Sequence, residues 1–283
     1  MAFRDSKAKG LAAIAAVYLF SGAAAYVLYR ALPFADWLNL LAADIAATVL
    51  IFVFSLAFGN ASVYDPYWSV FPVAALTVLA FGRDLTRLNV LHLAAFWFWG
   101  VRLTGNWAYT FENLNTQDWR YSMLQKRTGK LYPAVNLLGI HLMPTMVVYF
   151  CALPAFYAIR YRVEGSVPGC LFVLLSLCAA VLQGAADHQM HAFRKSHRGE
   201  LIRTGLWTYS RHPNYLGEIL MWWGIGLSVV VSVPGSGRLL LGAVINTLLF
   251  LFISIPLAEE RQSRKEGFDE YKKQTRMLLP LRR

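Results

Sequence analysis

Asn214, Glu218 and Trp222 recur every four residues, so they share one face of a helix. Arg211-His212-Pro213 stands immediately before them. Pro213 suits a first helical turn, where its missing N–H is no loss. A helix starting there offers unpaired N–H groups and a positive dipole end to a phosphate, with Arg211 alongside. Glu218 then falls just inside an apolar run. A carboxylate in such a place is costly and usually has a partner or a task; an acid favoured by the dipole of a helix start is the simpler alternative. Residues 102–136, 187–215 and the tail from 258 each mix Arg and Lys with Tyr, Trp, Asn and acids. A solvated basic surface facing anionic headgroups accounts for the bases. It needs neither acids nor aromatics, so the middle segment points instead to a site for an anionic ligand at a membrane face.

The elements that position these residues are apolar. The 283 residues are 57% hydrophobic and 15% charged, against roughly 25% charged in a soluble domain, which excludes disorder. Cys151, Cys170 and Cys178 all sit in apolar runs and make no disulfide framework. A span needs about 20 apolar residues. Leu11–Tyr29, Trp37–Gly59, Leu137–Ile159 and Leu239–Leu257 qualify cleanly; Leu88–Val101, Pro168–Ala186, Leu216–Val233 and the short Tyr67–Phe81 are weaker. If all eight cross, 21 of the 27 Lys and Arg fall on one side, and only Arg30, Arg83, Arg87, Arg160, Arg162 and Arg238 on the other. That asymmetry is the positive-inside pattern, with both termini cytosolic. The net charge of +11 therefore needs no nucleic acid. The expected fold is all-α: a polytopic membrane bundle of seven to eight helices forming a single domain over 1–283. Tyr29-Arg30 replaces the small-residue cleavage site of a signal peptide, so the first run reads as a span.

The run from Gly205 through Tyr209, Arg211, His212, Pro213 and Asn214 to Gly217-Glu218 resembles the signature of the membrane steroid 5α-reductase superfamily, and more closely the branch of uncharacterised membrane proteins sharing its C-terminal domain. Asp187 to Lys195, Glu259-Glu260-Arg261, Tyr271, Leu278-Leu279-Pro280 and Asp65-Pro66-Tyr67-Trp68-Ser69 resemble further segments of that branch. The likeness covers about 60–280 and leaves helices within 1–59 outside it. It implies an NADPH-dependent oxidoreductase that takes a lipophilic substrate from the bilayer and reduces a C=C bond conjugated to a carbonyl. By matching position, Asp187, Arg194 and Lys195 would hold the adenosine and phosphate portion. Tyr209, Arg211, His212, Asn214 and Glu218 would line the pyrophosphate and nicotinamide, and Arg120 and Tyr121 would close the site. The residue types agree: phosphates call for charge-assisted donors, and Asn and Glu can bind a carboxamide.

Hydride delivered to the β-carbon leaves negative charge on the carbonyl oxygen, and a donor aimed there lowers the barrier. In the resembled family that donor is a carboxylic acid assisted by a tyrosine. Asp65 stands where the family has the acid, and burial would keep it protonated. The family's tyrosine position holds Trp99, leaving Tyr64, Tyr67, Tyr109 or Tyr121 to take its place. The main rival is an S-adenosylmethionine-dependent membrane methyltransferase of the isoprenylcysteine or phospholipid type, which carries a similar Arg-His-Pro stretch. The phosphate-matching charge of Arg194-Lys195 favours the reductase. His188 and His191, among six His in all, are too few for a di-iron site, and a mononuclear site from the pair is the weaker reading. Gly235-Ser236-Gly237 lacks the context of a dinucleotide-binding turn. Asp44 reads as a hydrogen-bonded packing residue. A transporter would string ionisable groups through several spans, whereas here they gather at one face. An endoplasmic reticulum membrane and a bacterial inner membrane obey the same charge rule.

Overall fold

The computed structural model describes residues 3–280, so Arg282 and Arg283 of the basic tail lie outside the described residues. The described chain is helical, with no strand; an isolated bridge joins Ser210 to Arg276. Two compact units are formed, residues 1–83 with 100–156 and residues 84–99 with 157–283.

In the first unit, α1 (Lys7–Ala31) begins at Ser6, whose side chain accepts from the Lys9 N–H, and ends before Pro33. α2 (Asp36–Phe58) stops at Gly59, where a φ of 59° suits a residue without a side chain. The two helices pack on each other, and Ile14, Val17, Ala43, Ala47 and Ile51 belong to the core shared with Tyr64, Tyr67 and Phe111. α3 (Tyr67–Ala80) has 14 residues, about 21 Å of rise against roughly 30 Å of hydrocarbon. α4 (Arg87–Thr110) follows, with its part up to Trp99 counted in the second unit. α5 (Trp119–Thr128), α6 (Tyr132–Val135) and α7 (Met143–Arg160) make one nearly continuous helical stretch, joined by a π-helical segment, Asn136–Leu142.

The second unit is built on α8 (Val167–Ser196) and α9 (Pro213–Val230), which pack along their lengths. α10 (Leu241–Leu249) runs through a second π-helical segment, Phe250–Ser254, into α11 (Ile255–Gln262), and α12 (Phe268–Gln274) follows. Both π segments directly precede a helix with Pro at its second position, Pro144 and Pro256. Proline brings no N–H to the carbonyl four residues back, and the preceding turn widens.

Among the described residues, five helical stretches are long and apolar enough to cross a membrane: Lys7–Ala31, Asp36–Phe58, Trp119–Arg160, Val167–Ser196 and Gly237–Gln262. They cover five of the eight runs expected from sequence, with Gly59 of the second run just outside. The remaining three runs, 67–81, 88–101 and 216–233, are also largely helical, as α3, part of α4, and α9. α3 is short, and α4 dilutes its apolar run with Asn89, His92, Arg102 and Asn106.

Glycine sets how closely α8 and α9 approach. A Cβ on Gly217 would lie 2.7 Å from the Ala179 carbonyl oxygen, and one on Gly224 would lie 2.6 Å from that of Phe172. Small residues at such contacts let helix backbones meet where lipid gives no hydrophobic drive for association. Gly217→Leu is expected to force the pair apart and to destabilise the protein by about 1–3 kcal/mol, read as a lower unfolding temperature in detergent.

Candidate functional site

Asp65 follows a short 3-10 turn, Ala61–Val63, at the entrance to α3. The turn is tied to the chain ahead of α5. The Asn60 amide donates to the Leu114 and Thr116 carbonyls at 2.9 and 3.0 Å, the Ala61 N–H donates to Gln117 Oε1 at 2.8 Å, and the Asp118 N–H donates to Ser62 Oγ at 2.9 Å. Asp118 also caps α5, accepting from the Arg120 N–H at 2.8 Å. This stapling puts the first turn of α5 over Asp65, and the Tyr121 hydroxyl donates to Asp65 Oδ1. Burial raises the Asp65 carboxyl to about 6, against the pull of Arg120 and Tyr121 toward the ionised form. Arg120 itself is exposed and paired with Asp118 at 2.8 Å. Of the four tyrosines open as partners to Asp65, Tyr121 makes the contact. Tyr64 bonds Thr145 at 2.9 Å, and Tyr67 donates to Asp44 Oδ1 at 2.7 Å.

The other candidates lie in the second unit. Glu218 is 3% exposed, and N–H donors meet both of its oxygens. Trp99 Nε1 and Gln183 Nε2 donate to Oε2 at 3.0 and 2.7 Å, and Trp222 Nε1 donates to Oε1 at 2.8 Å. Spacing places Trp222 one turn from Glu218. Trp99 and Gln183 come from α4 and α8, which no spacing connects; a Gln inside the run Pro168–Ala186 was the available signal for the second. Arg211 is 7% exposed and its fork is engaged. Nε and one terminal nitrogen meet Glu259 Oε1 at 2.8 and 2.7 Å, and the other terminal nitrogen donates to the Lys272 and Thr275 carbonyls. Glu259 also meets His212 Nε2 and Lys272 Nζ, each at 3.4 Å. The Arg211 N–H donates to the Arg276 carbonyl at 3.0 Å, so the segment leading into α9 is fastened to both α11 and the tail. Asn214 Nδ2 donates to Asp187 Oδ1 at 3.2 Å. Arg194 and Lys195 end α8 with exposed side chains, and Tyr209 is half exposed. Lys265 is half-buried, and its ammonium is pushed down by burial and by the guanidiniums of Arg194 and Arg261.

Helices that cross a membrane more than once, with polar groups gathered at helix ends and inside the bundle, define a multi-pass membrane protein. The chain belongs to the DUF1295 family, described as a protein of unknown function, whose profile matches residues 51–275. It is 26% identical over 195 residues to an uncharacterized protein of Schizosaccharomyces pombe, covering 58% of this chain and 56% of that one. It is 28% identical over 92 residues to the protein-S-isoprenylcysteine O-methyltransferase of Saccharomyces cerevisiae, covering 31% of this chain and 34% of that one. The chain thus spans about half and a third of the lengths of these two relatives. No solved structure matches it significantly.

Two outcomes follow from the geometry. Because the folded Asp65 pKa lies above its unfolded value, the folded state holds its proton more tightly. Stability should therefore fall as pH rises from about 4 to about 6. That decline should be missing in Asp65→Asn when unfolding temperatures are compared across the same range. Arg211→Ala should leave Glu259 without its main partner and cost about 3–5 kcal/mol. Arg211→Lys should restore little of it in chemical denaturation, because an ammonium cannot reproduce the fork.

Proposed function

We propose that the protein is an NADPH-dependent reductase of a C=C bond conjugated to a carbonyl in a lipophilic, steroid-like or other lipid substrate. The observation that carries this reading is the Asp65–Tyr121 pair, a half-buried carboxyl held protonatable near pH 6 and bonded by a tyrosine hydroxyl. Family membership, together with the resemblance of residues 205–218 to the 5α-reductase signature, supports it.

NADPH supplies a hydride to the β-carbon when bound. In the acid form, Asp65 donates its proton to the carbonyl oxygen on which enolate charge builds. The Tyr121 hydroxyl then bonds the carboxylate left behind and orients it for reprotonation. In the second unit, Arg194, Arg261 and half-buried Lys265 repel one another, as cations do where an anion is expected, and with Lys195 beside Arg194 in sequence they would offer donors to phosphate oxygens. Asp187, paired with Asn214, would serve the adenosine portion. Arg211, His212 and Glu218 bond protein partners, so in this reading they fix the shape of the segment opening α9, and Tyr209 presents an exposed ring beside it.

A second reading is an S-adenosylmethionine-dependent methyltransferase. It is favoured by the likeness to the yeast isoprenylcysteine enzyme and by the turning of Arg211 toward Glu259. The two separate in one assay. Under the reductase reading NADPH raises the unfolding temperature of the purified protein, S-adenosylmethionine does not, and the double change Arg194→Ala with Lys195→Ala removes the effect. Asp65→Asn should keep that protection and lose at least a hundredfold in NADPH oxidation with a lipophilic enone; wild-type turnover should fall as pH rises through about 6. Protection by the methyl donor alone would overturn the proposal.

A further inference from the structure

The second unit contains a buried polar site that neither reading uses. On α9, the Ser228 hydroxyl donates to the Ile225 carbonyl at 2.7 Å. A hydroxyl has one hydrogen, and with it placed on the Ile225 carbonyl the imidazole is the donor in the 2.8 Å contact between Ser228 Oγ and His92 Nε2. A neutral ring protonated at Nε2 has a bare lone pair at Nδ1. His92 is 0% exposed, and no described protein group bonds Nδ1. One turn earlier on α4 stands Asn89, also 0% exposed, with neither Oδ1 nor Nδ2 bonded by any described protein group. Residues three apart share a helix face. Two acceptors and one two-hydrogen donor are thus brought together inside the bundle. Polar groups this deep are seldom left unmatched, because each gives up its hydrogen bonds to water on burial. Ser228 is ten residues from Glu218, about 15 Å along α9, so this is a different place from the candidate cofactor residues.

We infer that Asn89 and His92 form a binding site for a small neutral group that brings two hydrogen-bond donors and one acceptor. The donors serve Asn89 Oδ1 and His92 Nδ1, and the acceptor takes a hydrogen from Asn89 Nδ2. A cation has no acid to pair with among these contacts, and an anion would face both lone pairs. A primary carboxamide on a lipophilic molecule meets the pattern with one group, and a pair of ordered water molecules meets it with two.

The test uses the full-length protein in lipid nanodiscs. Nitrogen NMR of the histidine rings, assigned through His92→Gln, should show His92 Nδ1 unprotonated and hydrogen-bonded. An unprotonated Nδ1 with a free lone pair, or a proton on Nδ1, would overturn the inference. The sign of a stability change gives an independent reading. Asn89→Leu should lower the unfolding temperature by several degrees if the site is filled. It should raise it if the polar atoms are simply unmatched, since removing an unmatched group relieves its desolvation, and that rise would overturn the inference too. Dodecanamide then separates the two sources. A dose-dependent rise in unfolding temperature, absent with N,N-dimethyldodecanamide and lost in Asn89→Leu, assigns a lipophilic carboxamide. No response to either amide, with the bonded Nδ1 signal and the destabilised Asn89→Leu variant, assigns the water pair.

Discussion

A carboxylate inside an apolar bundle must find its donors within the protein, and Glu218 shows what that demands. Hydrocarbon offers no water to share the load, so each buried polar atom is matched internally or left at a cost. Glu218 is matched by two indoles and an amide drawn from α4, α8 and α9. None of the three carries a charge, so the site holds an acid without a salt bridge. The arrangement fixes the rotation of all three helices, because a turn of any one removes a donor. Trp99 and Trp222 also pack edge to face at 4.9 Å, which joins the polar match to the apolar core around it.

The same constraint governs the ends of the helices. Arg211 reaches Glu259 and the tail carbonyls with its whole fork, and His212 shares the same carboxylate. The Arg-His-Pro stretch thus fastens the N-terminal end of α9, and whatever binds nearby meets a rim already locked in place. In the first unit, the bonds from Asn60, Ala61 and Ser62 to residues 114–118 do comparable work for Asp65. Their effect is chemical as well as mechanical. They bring a single phenol to a half-buried carboxyl, whose desolvation raises it to about 6.

These features bear on the two activities proposed for the protein. A lipophilic substrate needs an apolar environment, whereas a phosphorylated or charged cosubstrate needs cations and water. Exposed Arg194 and Lys195 lie at the end of α8 in the second unit, and half-buried Asp65 lies at the entrance to α3 in the first. A reductase and a methyltransferase would both make these demands. What distinguishes the two proposed readings is the charge of the cosubstrate, and Arg194, Arg261 and Lys265 gather positive charge in one place.

The sequence by itself determined the helical, membrane-crossing class, because runs such as Leu11–Tyr29 and Trp37–Gly59 are too long and apolar to be anything else. It also singled out the helix start at Pro213 and the burial of Glu218, since both follow from local chemistry: a proline tolerated in a first turn and an acid set in an apolar run. It left four tyrosines open as partners for Asp65, and it read Arg211 as facing a ligand. Only the tertiary structure decided that Tyr121 bonds Asp65, that Arg211 turns to Glu259, and that Trp99 and Gln183 meet Glu218. The physical reason is distance along the chain. A periodic pattern reports which face of one helix is apolar, but a polar contact between residues 56, 48 or 119 positions apart depends on how separate helices dock. Docking is set by small residues, proline-widened turns and shared hydrogen bonds, none of which leaves a periodic trace in sequence.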